Sequence, residues 1–250
     1  MKLKGILGKT NPQCKSVPSI WSLLPNGRNK FTNMQYYLIS NSANEKEVGC
    51  YPQTSGLFPG YNHDAPNAME NLTSDEFPDF VPDLRFELDE DAILTDIVSP
   101  SNLDFAAGLL MNEKAKKIFE PAKIISHKYY QAFIKVENKL LDYYWLHLIA
   151  PPLSIINFSR SIFLEVLPGQ KKVQRIFKSE KEYDSYYDSY NFNPLEIFKL
   201  SLTKDFNDQQ FEVFCLPQIF PGLLISDRIS SLLKENITGL SYKEQNFYVS

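Results

Sequence analysis

The sequence predicts an α+β fold: largely antiparallel sheet with a few short helices, including two similar strand-to-helix junctions. Three observations lead there. Apolar runs of strand length, rich in aromatic and β-branched residues, recur along the chain; the clearest are KYYQAFIKV (128–136) and LLDYYWLHLI (140–149). A twelve-residue phrase occurs twice, GLLMNEKAKKIF at 108–119 and GLLISDRISSLL at 222–233. Long alternating strand–helix units are missing, which argues against a doubly wound parallel sheet.

Taken in order, residues 1–33 are basic, with Lys2, Lys4, Lys9, Lys15, Arg28, Lys30 and no acid, and are punctuated by Pro12, Pro18, Pro25 and Gly27. Two readings stand for this segment. It is an extension ahead of a start at Met34, or an arm that packs on the domain through Trp21, Leu23 and Leu24. Residues 34–250 then form a single α+β domain. MQYYLISN, from Met34, reads as the first strand. Eight glycines and prolines between 49 and 82 predict mostly irregular structure.

LRFEL (84–88) is a short strand, and 101–110 is expected to be a short helix ahead of the first phrase. The two apolar runs at 128–149 flank Glu137, Asn138 and Lys139 and make a hairpin. Further strands are expected within RSIFLEV (160–166), KVQRIFK (172–178), EIFKLSL (196–202) and QFEVFCLP (210–217).

The repeated phrase explains itself as a strand-to-helix starter. An apolar triplet leads to Asn112 or Ser226, whose side-chain oxygen can accept from the free N–H groups of a first helical turn. Glu113 or Asp227 follows, at the positive end of the helix dipole. Apolar residues three, six and seven positions after the cap (Ala115, Ile118 and Phe119; Ile229, Leu232 and Leu233) put one stripe of each helix on a core. Pro121 stops the first helix, and Asn236 is expected to end the second in a left-handed exit.

Composition narrows the function classes. At 250 residues, with 43% hydrophobic and 22% charged, the chain can bury a full core. Cys14, Cys50 and Cys215 show no CxxC or Cys/His spacing, so neither a disulfide framework nor a zinc site is suggested. No apolar run approaches the roughly 18–20 residues that cross a bilayer, and the opening MKLKGILGKTN is too interrupted for a signal-peptide core. No membrane partner and a reducing cytoplasmic location are expected. A net charge of −4 argues against nucleic acid as a partner.

Chemistry-bearing motifs are sparse. There is no G-x-S-x-G elbow, Walker sequence or HExxH, and no catalytic residue, metal site or cofactor is assigned. His127 starts a strand and His147 lies inside one, both structural positions. His63, in GYNHDAPN, is the one histidine in a turn-rich loop. With nearby carboxylates it supports the alternative function, a small hydrolase of unknown substrate.

Two stretches have the chemistry of recognition surface. Residues 75–96 hold nine acids against Arg85 alone, a net of −8. Asp75, Glu76, Asp79, Asp83, Glu87, Asp89, Glu90 and Asp91 alternate with Phe77, Phe80, Val81, Leu84 and Phe86. They read as an acidic face that docks on a basic protein, or as a solvated connection whose aromatics cover the core. EKEYDSYYDSYNFNP (180–194) reads as a loop whose Tyr183, Asp184, Tyr186, Tyr187, Asp188 and Tyr190 offer stiff amphipathic contacts.

The phrase G-L-L-[hydrophobic]-[Ser/Asn]-[acid]-[Lys/Arg] resembles a motif of immunity proteins from bacterial polymorphic-toxin systems, a group typified by a myxobacterial member. MQYYLI at Met34, ILTDIVS (93–99), the SHKYYQAFIKV…LLDYYWLHLI hairpin and ISDRISSLLKENITGLSY (225–242) fit the same pattern. The resemblance spans roughly residues 34–242. Asn112 stands where Ser is more usual and Asn236 where Gly is common. What it implies is a non-enzymatic protein that binds and occludes a cognate toxin encoded nearby, with no catalytic residues to carry over.

Overall fold

The computed structural model describes residues 35–101, 103, 107–189, 193–219 and 222–244. The basic segment 1–33, Met34 and Tyr190 lie outside the described residues. In chain order the elements are β1 (Tyr36–Asn41), α1 (Glu45–Val48), β2 (Thr54–Leu57), β3 (Arg85–Leu88), β4 (Ile97–Val98), β5 (Gly108–Met111), α2 (Glu113–Phe119), β6 (His127–Val136) and β7 (Lys139–Leu148). They continue as β8 (Ile162–Leu167), β9 (Lys171–Arg175), α3 (Glu180–Tyr187), β10 (Leu195–Lys199), α4 (Lys204–Asp208), β11 (Val213–Cys215), β12 (Leu223–Ser226), α5 (Asp227–Asn236) and β13 (Leu240–Glu244). The fold is α+β.

These strands form three sheets, ordered β11-β12-β1-β13, β10-β8-β9 and β2-β3-β6-β7-β5-β4. Every named strand pair is antiparallel except β3 with β6. The β6–β7 hairpin is ten residues long on each side, in unbroken register from His127↔Leu148 to Val136↔Lys139. Its turn is two residues, not three: Lys139 belongs to β7, and Glu137 takes a φ of 53° to close the link.

Alternation along β5 and β7 divides the core in two. Leu109, Met111, Leu146 and Leu148 point to a larger cluster shared with β1, β12, α2 and α5. Leu110, Tyr143 and Trp145 point the other way, onto Phe86, Leu84 and Met69. The six-stranded sheet is therefore buried on both faces at this place, which is why these strands read as nearly continuous apolar runs.

Several expectations need correction. Residues 108–110 are extended in β5 rather than helical, because Gly108 and Leu109 pair with His147 and Leu146 of β7. The 49–82 segment, although mostly irregular, contains β2. Helix α5 runs to Asn236 but leaves through Ile237 in an extended conformation (φ −122°), with Asn236 donating to the Leu232 carbonyl at 2.8 Å. Leu232 is exposed, and Ser230 takes a buried place on the helix instead.

Candidate functional site

Each phrase opens a strand and caps a helix, and each shares its cap with a carboxylate that stands just ahead of the preceding strand. Asn112 Oδ1 accepts from the Ala115 N–H at 3.0 Å, and Ser226 Oγ accepts from the Ile229 N–H at 3.4 Å. In the first unit Asp96 accepts from the Asn112 side chain at 2.8 Å and pairs with Lys114 at 3.4 Å. In the second, Glu212 lies 3.5 Å from Ser226 Oγ and is held by Arg228 through two bonds of 2.6 and 2.8 Å. Both cap N–H groups donate to the backbone carbonyl of that same acid, at 2.9 and 2.8 Å.

The strands after the two acids pair in matching register, Ile97↔Met111 and Val98↔Leu110 against Val213↔Ile225 and Phe214↔Leu224. The duplicated unit is therefore longer than the phrase. It begins at Asp96 and at Glu212. Both carboxylates are held below their ordinary range. For Asp96, burial opposes this, but donors from Asn112 and Thr238 together with the nearby Lys114 prevail. For Glu212 the Arg228 guanidinium is the main cause.

The two units meet. Helices α2 and α5 pack on each other, and the opening Gly-Leu of both phrases lines one cavity of about 240 Å³ between β1, β5, β7 and β12. Its walls are set by close backbone approach. A Cβ on Gly108 would sit 2.2 Å from the Leu146 carbonyl oxygen and 2.6 Å from the Trp145 ring. Gly222 has a φ of +107°, and a Cβ there would sit 2.3 Å from the Ile39 carbonyl oxygen.

Asn41 and Trp145 also line this cavity. Trp145 is 2% exposed. Its indole N–H, a donor, and Asn41 Oδ1, an acceptor, are both buried without a hydrogen-bond partner among the described residues. An unmet buried polar group costs about 1–3 kcal/mol, and both atoms are closed off from solvent. Tyr51 lines the same cavity while remaining 58% exposed, which puts an aromatic ring at its mouth.

The acidic stretch divides into paired and unpaired groups. Asp83 is bound by Arg85, Glu87 by Lys135 at 2.6 Å, and the Asp89 carboxylate accepts from the Asp91 N–H at 3.0 Å. Asp75, Glu76, Asp79, Glu90 and Asp91 are exposed and form no ion pair among the described residues. Leu84 and Phe86 are core, and Phe77 packs edge-on to His147 with Lys128 over its ring at 4.6 Å. Val81 stands free at 78% exposure.

The 89–94 turn is rigidly mounted. Asp89 and Ile93 donate N–H groups to the Gln53 and Val48 carbonyls at 2.9 and 2.8 Å. The fully buried Gln53 side chain grips Ile93 O, Thr95 Oγ1 and the Ser99 N–H at 2.7, 2.9 and 2.9 Å. Exposed Ile93 and Leu94 therefore sit beside the Glu90–Asp91 carboxylates, on a turn bonded to the segment that carries Tyr51.

The tyrosine-rich stretch is a helix, α3, rather than a loop. Ser179 caps it by accepting from the Glu182 N–H at 3.3 Å. Tyr183, Tyr186 and Tyr187 fall at i, i+3 and i+4 and face inward. Tyr183 is 3% exposed and packs on Phe158, Phe163 and Phe177 at centroid distances of 5.2, 5.6 and 5.3 Å. The Tyr186 hydroxyl donates to the Asn193 carbonyl at 2.7 Å, with Arg175 4.7 Å over its ring. Of the candidates here, Asp184 and Asp188 reach solvent. Buried Tyr183 cannot serve as a contact anchor, whereas Tyr186 and Tyr187 are only half-buried.

The histidines are placed as follows. His63 is 61% exposed and binds the single carboxylate of Glu70 at 2.7 Å. His127 bonds the Ile125 carbonyl. His147 is fully buried and donates from Nε2 to the Thr73 carbonyl at 2.6 Å. Among the described residues no group of three or more His, Cys, Asp or Glu is placed to hold a metal, and no helix is long and apolar enough to cross a membrane. Burial pushes the Cys215 thiol up to about 12, so it stays protonated. Neither a protein-family model nor a curated protein sequence matches this chain.

Proposed function

We propose that this chain is an immunity-type protein that binds a cognate basic toxin in the cytoplasm and occludes it, without turnover or cofactor. One observation carries the reading. Asp75, Glu76, Asp79, Glu90 and Asp91 are exposed and form no ion pair among the described residues, and the same stretch and the segment bonded to it also carry the exposed apolar side chains of Val81, Ile93, Leu94 and Tyr51. Unpaired carboxylates repel one another until a cationic surface meets them, so they favour a basic partner and speed its approach. The apolar side chains supply the desolvated contacts that such an encounter needs in order to persist.

The acids already bound to Arg85 and Lys135 contribute less, because their charge is met within the chain. The hydrolase alternative is not favoured by the geometry of His63, which is exposed and faces one carboxylate. Co-expression with the product of the neighbouring gene tests the proposal. A stoichiometric complex that survives gel filtration at micromolar concentration is expected. Failure to form one would count against it.

A further inference from the structure

The turn that carries Glu90, Asp91, Ile93 and Leu94 is fastened to residues far from it in sequence. We propose that Glu47, Gly49 and Gly239 are positioning residues for the toxin contact: they fix the shape of the 89–94 turn before the partner arrives, and act through the turn rather than on the partner. This rests on the immunity reading given above and adds the residues that organise its contact surface.

Both ends of the turn are bonded to one short segment. The Asp89 N–H donates to the Gln53 carbonyl at 2.9 Å, and the Ile93 N–H donates to the Val48 carbonyl at 2.8 Å. Between those anchors the chain at Gly49 runs directly against the turn. A Cβ there would run into the Asp91 carbonyl oxygen and sit 2.9 Å from the Ile93 nitrogen. Its φ of +77° disfavours a side chain as well. Only glycine lets the two backbones meet.

Glu47 fixes the segment itself. Its carboxylate accepts from the Ser42 hydroxyl and from the Gly239 N–H, each at 2.7 Å, which ties α1 to the residue ahead of β13 across 192 positions. Gly239 is buried, and its carbonyl accepts from the Ser42 N–H at 2.9 Å. A Cβ on Gly239 would run into the Ile97 carbonyl oxygen and sit 2.7 Å from Thr95 Oγ1. Thr95 Oγ1 is also gripped by the Gln53 side chain. The turn is thus held through 48–53 on one side and 95–97 on the other, and the Glu47–Gly239 bond joins the two.

Such a mount matters because Glu90, Asp91, Ile93 and Leu94 are exposed, so their own burial does little to hold the turn. A turn free to sample other shapes binds with an affinity reduced by the fraction of time it spends in the right one. Ordering it on contact would also cost conformational entropy.

Amide hydrogen exchange on the full chain reads the mount with no partner present. Glu47→Ala should speed exchange at the Asp89 and Ile93 N–H groups by about tenfold or more, while the β6–β7 hairpin keeps its protection. Glu47→Gln can still accept from Gly239 and bond Ser42, and should restore the wild-type rates. Gly49→Ala and Gly239→Ala, where they fold, should match Glu47→Ala. Binding to the product of the neighbouring gene should weaken by about tenfold in Glu47→Ala and recover in Glu47→Gln. Both variants remove the same charge, so a difference between them reads position and not electrostatics. Unchanged exchange in Glu47→Ala overturns the proposal, as does faster exchange spread equally over the hairpin, which marks a general loss of stability. Faster exchange at the turn with partner affinity unchanged also overturns it, and leaves the immunity reading standing. A wild type that forms no complex overturns that reading, and this role with it, whatever the exchange rates.

Discussion

Asp96 takes two hydrogen bonds from Thr238, one from the backbone N–H and one from the hydroxyl, each at 3.0 Å and across 142 positions of sequence. The same carboxylate holds the cap of α2 through Asn112, so it ties the start of one phrase helix to the exit of the other. Removing it unfastens both. Asp96→Ala is expected to cost about 1–3 kcal/mol by urea denaturation, since the Asn112 amide and the Thr238 N–H and hydroxyl lose a charged acceptor. The folded carboxyl titrates below its ordinary value, so its contribution is full above the ordinary carboxylate range and is lost as pH falls through the folded value. The wild type should lose stability in that acid window more steeply than Asp96→Ala.

A second pH effect sets in earlier. His147 is neutral because burial lowers its basicity, against the opposing help of the Thr73 carbonyl. The unfolded chain takes up a proton near 6.5 that the folded chain refuses. Stability should therefore decline as pH drops below that value, before the carboxylates titrate. Replacing the ring with Gln, which can still donate to Thr73, should remove this early decline. An unchanged slope in the variant would reject the assignment.

Glycine at the two phrase starts has unequal reasons. Gly108 is excluded from bearing a side chain by sterics alone, whereas Gly222 also has a left-handed backbone. Gly222→Ala should be the more destabilising of the two, since a left-handed backbone alone costs a residue with a Cβ about 1–2 kcal/mol, and both should lower the thermal midpoint because the added methyl runs into backbone. Differential scanning calorimetry separates them.

The phrase, its caps and the long hairpin were legible in the sequence because each depends on neighbours within a dozen residues. What surrounds the phrase was not. Asp96 and Glu212 precede their caps by sixteen and fourteen positions, so the two copies fall out of alignment although D-I-V and E-V-F play one part. The helix at 180–187 was hidden by its own repetition. YDSY read as a loop, while SEKE at 179–182, a cap with an acid three residues on, was the signal for a helix start. The cavity depends on β1, β5, β7 and β12 meeting, which no local pattern encodes.

That misreading has a testable consequence. Tyr183→Ala should cost about 3–5 kcal/mol, as for a large core aromatic, and leave any partner affinity unchanged once the variant is folded. Tyr183→Phe should cost about 1 kcal/mol or less, since its hydroxyl bond to the Gln218 carbonyl is long at 3.3 Å. Asp188→Ala, on the exposed side, should fall within about 0.5 kcal/mol of the wild type. Near-neutral behaviour of Tyr183→Ala would return the stretch to the surface.

The acidic face makes the opposite prediction, function without stability. Glu90→Lys and Asp91→Lys remove exposed charges that form no ion pair among the described residues, so folding should shift by no more than about 0.5 kcal/mol. Association with the proposed basic partner should slow by about tenfold for the pair, with a shallower dependence on salt, because long-range attraction acts on encounter. Ile93→Ala and Leu94→Ala should instead raise the dissociation rate, since apolar contacts form only once the surfaces have met. Stopped-flow association at two ionic strengths, paired with dissociation by competition, separates the two effects. Charge reversals that leave the association rate untouched would place the contact surface elsewhere on the chain.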